Sequence, residues 1–171
     1  MVDAFGTWFV EPAINSEYLK LKTGSTKVRI ISKSVCYYEY FAQDFDKVTP
    51  IRSIEKFKST PWIKEGDKVS YNWTFKVYNY DEKLVQLLTV KQKGIKDSII
   101  SFLNDSDYGR PVEWIFKYDL KITKTGEKLD TKYSVLASPP KEFDKKLLEW
   151  LDLIVDWEGF IQSKKDIFIY I

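Results

Sequence analysis

Tyrosines, lysines and arginines recur along this chain at spacings that could grip a flat, anionic polymer. Tyr38 and Tyr40, and again Tyr78 and Tyr80, sit two residues apart, so each pair shares one face of an extended strand. Around them fall Arg29, Arg52, Lys56, Lys76, Lys91 and Lys93. Rings of this kind stack on unpaired bases of any sequence, while ammonium and guanidinium groups follow the phosphates. That chemistry is binding, with no bond broken. The same alternation also suits a second apolar layer, in which Tyr78 and Tyr80 would simply complete a core.

Catalysis finds little support. Histidine is absent, which removes the commonest general base and the commonest metal ligand. Cys36 is the only cysteine, so neither an intrachain disulfide nor a cysteine-rich zinc site is expected. No glycine-rich phosphate loop and no Ser/His/Asp set is visible. Glu39, Asp44 and Asp46 lie near the first tyrosine pair, where a β-fold glycosidase could place two carboxylates, but nothing in their spacing demands it. We therefore expect no enzyme, no metal and no cofactor. Two other classes stay open. A carbohydrate-binding module uses the same exposed rings without the cations, and a virion or scaffold protein would assemble through its ends.

The elements that must position these residues centre on Tyr71 to Lys93, which reads as two strands and a turn. On the first strand Tyr71, Trp73, Phe75 and Val77 form a core face, and Asn72, Thr74, Lys76, Tyr78 and Tyr80 the other. The turn over Asn79–Lys83 lacks the glycine of a two-residue loop, so a longer turn is expected. Upstream, Thr26 to Phe41 is too long for one straight strand, which predicts a bend near Ser32 to Ser34. Tyr37, Tyr38, Tyr40 and Phe41 must then populate both faces. A strand is also expected over Glu17–Lys22, another short one from Val48 carries Arg52 and Lys56, and Ser59 to Ser70 reads as a long loop containing Trp62.

Beyond the hairpin the period changes. Ile95, Ile99 and Phe102, with Ile100 and Leu103, predict a helix over 92–104. Strands are expected over 114–123 and 130–137, and a second helix from Ser138 to about Gly159. The apolar end, Asp166 to Ile171, needs a partner strand or pocket. This order predicts a mainly β fold with helices: a five-stranded OB-type barrel with an inserted helix and a C-terminal helix. A sandwich fits the pattern too. The expected division is an N-terminal arm (1–17, with Phe5, Trp8 and Phe9), the barrel (18–138), and a C-terminal helix and terminal strand (139–171).

Net charge is only +2, but residues 18–96 hold 16 Lys and Arg against 8 Asp and Glu. A basic first half beside aromatic strands attracts a polyanion. No apolar run approaches the roughly 20 residues that span a bilayer. The first residues lack the basic and apolar regions of a signal peptide, so an intracellular protein without membrane contact is expected.

From Tyr18 to about Lys141 the chain resembles a family of phage-encoded single-stranded DNA-binding proteins with an OB-fold. The resemblance rests on Leu21-Lys-Thr-Gly24 with Val28-Arg29-Ile30-Ile31, Tyr38-Glu39-Tyr40-Phe41, and Pro50-Ile51-Arg52-Ser53. It continues through Trp73-Thr-Phe-Lys-Val-Tyr78-Asn79-Tyr80, Lys83-Leu-Val-Gln86, Gln92-Lys93-Gly94-Ile95, Gly109-Arg-Pro, Tyr118-Asp119-Leu-Lys-Ile, and Leu129-Asp130-Thr131-Lys132-Tyr133-Ser-Val. It implies a protein that coats single-stranded DNA during phage replication, recombination or repair in the host cytoplasm. Carried onto this chain, Arg29, Tyr38, Tyr40, the Arg52 segment, Tyr78, Tyr80 and Lys91 to Lys93 would line the groove. Self-association along DNA through either end, and replication or recombination proteins, are the other partners to expect.

Overall fold

A computed structural model describes residues 13–57, 68–111, 113–150, 153–162 and 167–170. The aromatic residues Phe5, Trp8 and Phe9 and the loop residue Trp62 lie outside them. The fold is mainly β with short helices. Its central strand, β5 (Ser70–Asn79), is the first strand of the expected hairpin and returns as β6 (Leu84–Val90). The turn between them is a long one. Asn79 Oδ1 accepts from the Asp81 N–H at 3.0 Å, and Lys83 takes the left-handed conformation (φ 55°) in place of the missing glycine.

Two strands share the other edge of β5 end to end. β2 (Gly24–Ile30) pairs with Val77–Asn79, and β3 (Val35–Asp44) with Ser70–Thr74. The expected bend falls between them, where Ser32 Oγ accepts the Lys76 N–H at 2.8 Å and turns the chain from one strand to the next. β4 (Lys47–Ser53) folds back on β3. On the far side β2 pairs with β7 (Leu120–Thr125), which turns through Gly126 into β8 (Lys132–Ala137). Gly126 has φ 76°, and a Cβ there would collide with the Asp130 carbonyl, so a larger residue would break this turn.

Three sequence expectations change. The first strand is β1 (Ala13–Tyr18), earlier than the expected 17–22, and it runs parallel to β6. β7 begins at Leu120 and not near Trp114. In place of one helix over 138–159 the chain makes α2 (Lys145–Trp150), β9 (Leu153–Val155) and α3 (Trp157–Ile161). The β-branched Ile154 and Val155 favour extension, and Asp156 starts α3 by accepting the Gly159 N–H at 2.8 Å. The apolar end finds its partner strand here, because β10 (Phe168–Tyr170) pairs antiparallel with β9.

The result is an eight-stranded sheet in the order β1-β6-β5-β2-β7-β8 with β3 and β4 branching from β5, plus the two-stranded β9–β10 ribbon. Among the described residues no pairing joins β8 to β6 or to β1, so the sheet does not close into the expected five-stranded barrel. Its main core lies on one face: Val28, Ile30, Phe75, Val77, Leu88, Val90, Leu120 and Ile122 pack against Ile95 and Ile99 of α1 (Lys93–Asn104). The helix falls where its apolar period places it, with Ile100 turned out to solvent. No helix among the described residues is long and apolar enough to cross a membrane.

Candidate nucleic-acid interface

The two faces of β5 have opposite fates. The face carrying Asn72, Thr74, Lys76 and Tyr78 was expected to be open, but the C-terminal segment closes it. Phe143, Leu147 and Phe168 pack on Tyr78 and Val85, while Val155, Phe160 and Ile167 pack on Tyr37 and Leu87. Tyr78 is buried edge-on between Tyr80 and Phe143, at ring separations of 5.0 and 5.9 Å. Burial pushes its phenol above the ordinary tyrosine value, and the nearby Asp144 adds to the shift. Lys76 is buried as well. The cover packs where this face is itself apolar, on Tyr37, Tyr78, Val85 and Leu87.

The expected cations there are spent on internal carboxylates. Arg29 is fully buried: its Nε donates to Asp119 Oδ1 at 2.6 Å and its Nη1 to the Lys141 carbonyl at 2.9 Å. Tyr80 donates to the same Asp119 oxygen at 2.8 Å, and Lys27 and Lys141 approach Oδ2 at 3.3 and 3.6 Å. Burial alone would raise the Asp119 carboxyl. The bonds from Tyr80 and Arg29 and the arginine charge outweigh it, leaving Asp119 below the usual carboxylate range. Burial and the bond to Asp119 push the Tyr80 phenol strongly up.

A second buried carboxylate, Glu39, takes Arg52 Nε at 2.8 Å, Lys91 Nζ at 3.0 Å and Asn72 Nδ2 at 3.0 Å. Arg52 also donates to the Phe160 carbonyl at 2.7 Å, with its guanidinium 4.2 Å from the Phe160 ring centre. Lys93 pairs with Asp97 one helical turn away. Tyr40 is buried against Phe57, edge-on at 5.1 Å, and Lys56 beside it is exposed. The ten expected site residues therefore do not form one groove.

The core-side face of β5 remains partly open at the Tyr71 and Trp73 end of the strand. Antiparallel register sets Tyr38 opposite Tyr71 and Cys36 opposite Trp73, so all four side chains emerge together. The Tyr38 and Tyr71 rings lie 4.8 Å apart. From α1, Lys96 reaches over this pair of strands: its ammonium stands 5.2 Å from the Tyr71 ring centre and 5.6 Å from that of Trp73, and it donates to the Tyr71 carbonyl at 2.6 Å. Burial among these rings lowers the Lys96 ammonium from the ordinary lysine value. Tyr71 keeps 44% of its surface exposed.

Past Trp73 the strip opens into a groove of about 400 Å³. Its floor is Phe75, Ile99 and Phe116, and Trp114 forms its outer wall, with Lys33 Nζ 4.6 Å from the indole centre and Arg110 at the rim. Together the strip and groove present two tyrosines and two tryptophans among Lys96, Lys33 and Arg110. Only Tyr38 belongs to the set expected from sequence. Tyr71 and Trp73 were assigned to the core, and Trp114 to a strand. The missed signal was length: a ten-residue strand has more core-facing positions than one three-turn helix can cover.

No protein-family model, curated protein or solved structure matches this chain.

Proposed function

We propose that this chain binds single-stranded DNA, without preference for sequence, along the strip from Tyr38 and Tyr71 through Trp73 to Trp114. The observation that carries the reading is the interleaving of ring and cation on one open face, above all Lys96 suspended over both Tyr71 and Trp73. In this reading the exposed parts of the rings offer bases a stacking surface, and the ammonium beside them is a partner for a connecting phosphate.

The strand order supports the OB-type reading. Taken alone, β2, β5, β6, β7 and β8 follow the strand order of an OB sheet without its closing pair, with α1 inserted between the third and fourth of them. β1 takes the edge of β6 where the closing strand of such a barrel would lie. The resemblance of its motif order to that of phage single-stranded DNA-binding proteins is a second support. Coating of single strands in phage replication, recombination or repair is the role that follows.

Fluorescence anisotropy of labelled oligo(dT), its duplex and a neutral oligosaccharide tests the reading. Tight, salt-sensitive binding of oligo(dT) alone is expected. Tyr71→Ala should weaken it by about 1–3 kcal/mol without lowering the melting temperature. Sugar binding indifferent to salt would replace this reading with a carbohydrate module.

A further inference from the structure

The groove beyond Trp73 differs in kind from the open platform beside it. It is a half-open recess, and its volume of about 400 Å³ falls within the range of small-molecule sites. Its outer wall is held by an unfavourable backbone: Glu113 and Trp114 are consecutive left-handed residues, at φ 54° and 65°. A bulky aromatic residue rarely adopts that conformation, which costs on the order of 1 kcal/mol or more and marks sites where geometry is imposed for use. The turn holds the Trp114 indole with 51% of its surface uncovered when an apolar ring would otherwise fold inward. Facing groups suit one ligand chemistry. Phe75, Ile99 and Phe116 give an apolar floor, Trp73 and Trp114 give stacking faces, and Ser34 and Asn104 offer polar edges. Lys33 and Arg110 stand at the mouth where an anion would remain in solvent.

We propose that this groove takes a single nucleobase, turned out of the stack of the bound strand, against the Trp114 ring, with its phosphate held by Lys33 and Arg110. The proposal rests on the single-strand reading and adds to it a recessed base site, occupied once per protein, beside a surface on which the other bases merely stack. A flat heteroaromatic ring with one attached phosphate is the minimal ligand, so the site should accept a mononucleotide on its own.

The test titrates the whole chain with dTMP, dAMP and 2-deoxyribose 5-phosphate, following tryptophan emission, with oligo(dT) anisotropy measured in parallel. Saturable quenching by a mononucleotide is expected, with the base-free sugar phosphate at least about tenfold weaker, in line with the stacking contribution of one base. Trp114→Ala should abolish the mononucleotide response and Trp114→Phe restore most of it; both leave the folded core untouched because the ring is half exposed. Lys33→Ala should weaken mononucleotide and sugar phosphate alike. Equal binding of sugar phosphate and mononucleotide would overturn the base site. So would oligo(dT) affinity unmoved by Trp114→Ala with no mononucleotide response, although the single-strand reading would survive. Self-association lost in Trp114→Ala would assign the groove to a second copy and likewise overturn it. Absence of oligo(dT) binding altogether would remove both proposals.

Discussion

At the scale of single residues, identical side-chain types divide by whether an internal partner reaches them first. Arg29 and Lys33 are four residues apart, yet one is sealed against Asp119 and the other stands over an exposed indole. The sequence reading places Arg29 among the binding residues and leaves Lys33 out, the reverse of their exposure. What separates them is Asp119, distant in the chain and invisible to any local count. The same holds for Arg52 and Lys91 around Glu39, which sequence reading considered as a possible acid catalyst and the fold uses as an anchor. Two consequences can be measured. Asp119 binds its proton less readily folded than unfolded, so its contribution is complete above the ordinary carboxylate value of about 3.9 and is lost as pH falls through its lower folded value. Thermal melts should therefore decline on the acid side of about pH 4, and Asp119→Asn should flatten that decline. The variant should also lose about 3–5 kcal/mol at neutral pH, because it leaves the Arg29 guanidinium buried without its counter-charge.

Elements decide which face of a strand is available, and here periodicity was legible while coverage was not. The alternation along β5, the bend at Ser32–Ser34, the hairpin and α1 could all be read from spacing and turn chemistry, since these are local. Which face of β5 would be covered depends on Phe143, Leu147, Val155, Phe160, Ile167 and Phe168, more than sixty positions downstream, and on a helix that was expected and did not form. The run from Phe143 to Val155 carries enough apolar residues for a helical stripe. Ile154 and Val155 instead pair with β10, and the resulting short pieces wrap the sheet where one rigid helix could touch it along a single line. Phe160 is the anchor of this cover: fully buried, 5.2 Å edge-on from Tyr37, and beneath the Arg52 guanidinium. Phe160→Ala should cost about 3–5 kcal/mol in chemical denaturation. If the interface lies on the other face, as proposed, the folded variant should bind oligo(dT) as the parent does. Tyr78→Ala belongs with it, lowering stability and sparing affinity, whereas Tyr71→Ala should do the reverse.

For the whole molecule, the basic first half is a weaker argument than its charge suggests. The excess over residues 18–96 includes Arg29, whose partner Asp119 lies outside that window, and both Arg52 and Lys91, which share Glu39. The field that a polyanion meets comes from cations left over after such pairing, and on the proposed strip these are Lys33, Lys96 and Arg110. Salt dependence counts them. Each phosphate neutralised on a single strand contributes about −0.7 to the slope of log affinity against log salt, so three contacts predict a slope near −2. Between 50 and 200 mM salt the affinity for oligo(dT) should then fall on the order of tenfold to twentyfold. Lys96→Ala should flatten the slope by about 0.7, and Lys91→Ala, which removes a cation already committed to Glu39, should leave it unchanged. A slope several units steeper that persists when exposed lysines such as Lys56 and Lys83 are replaced would mean that the buried cations also reach the strand. That would require the cover carrying Phe143, Phe160 and Phe168 to leave the sheet on binding, and hydrogen exchange along β6 would then rise with DNA where a fixed cover predicts no change.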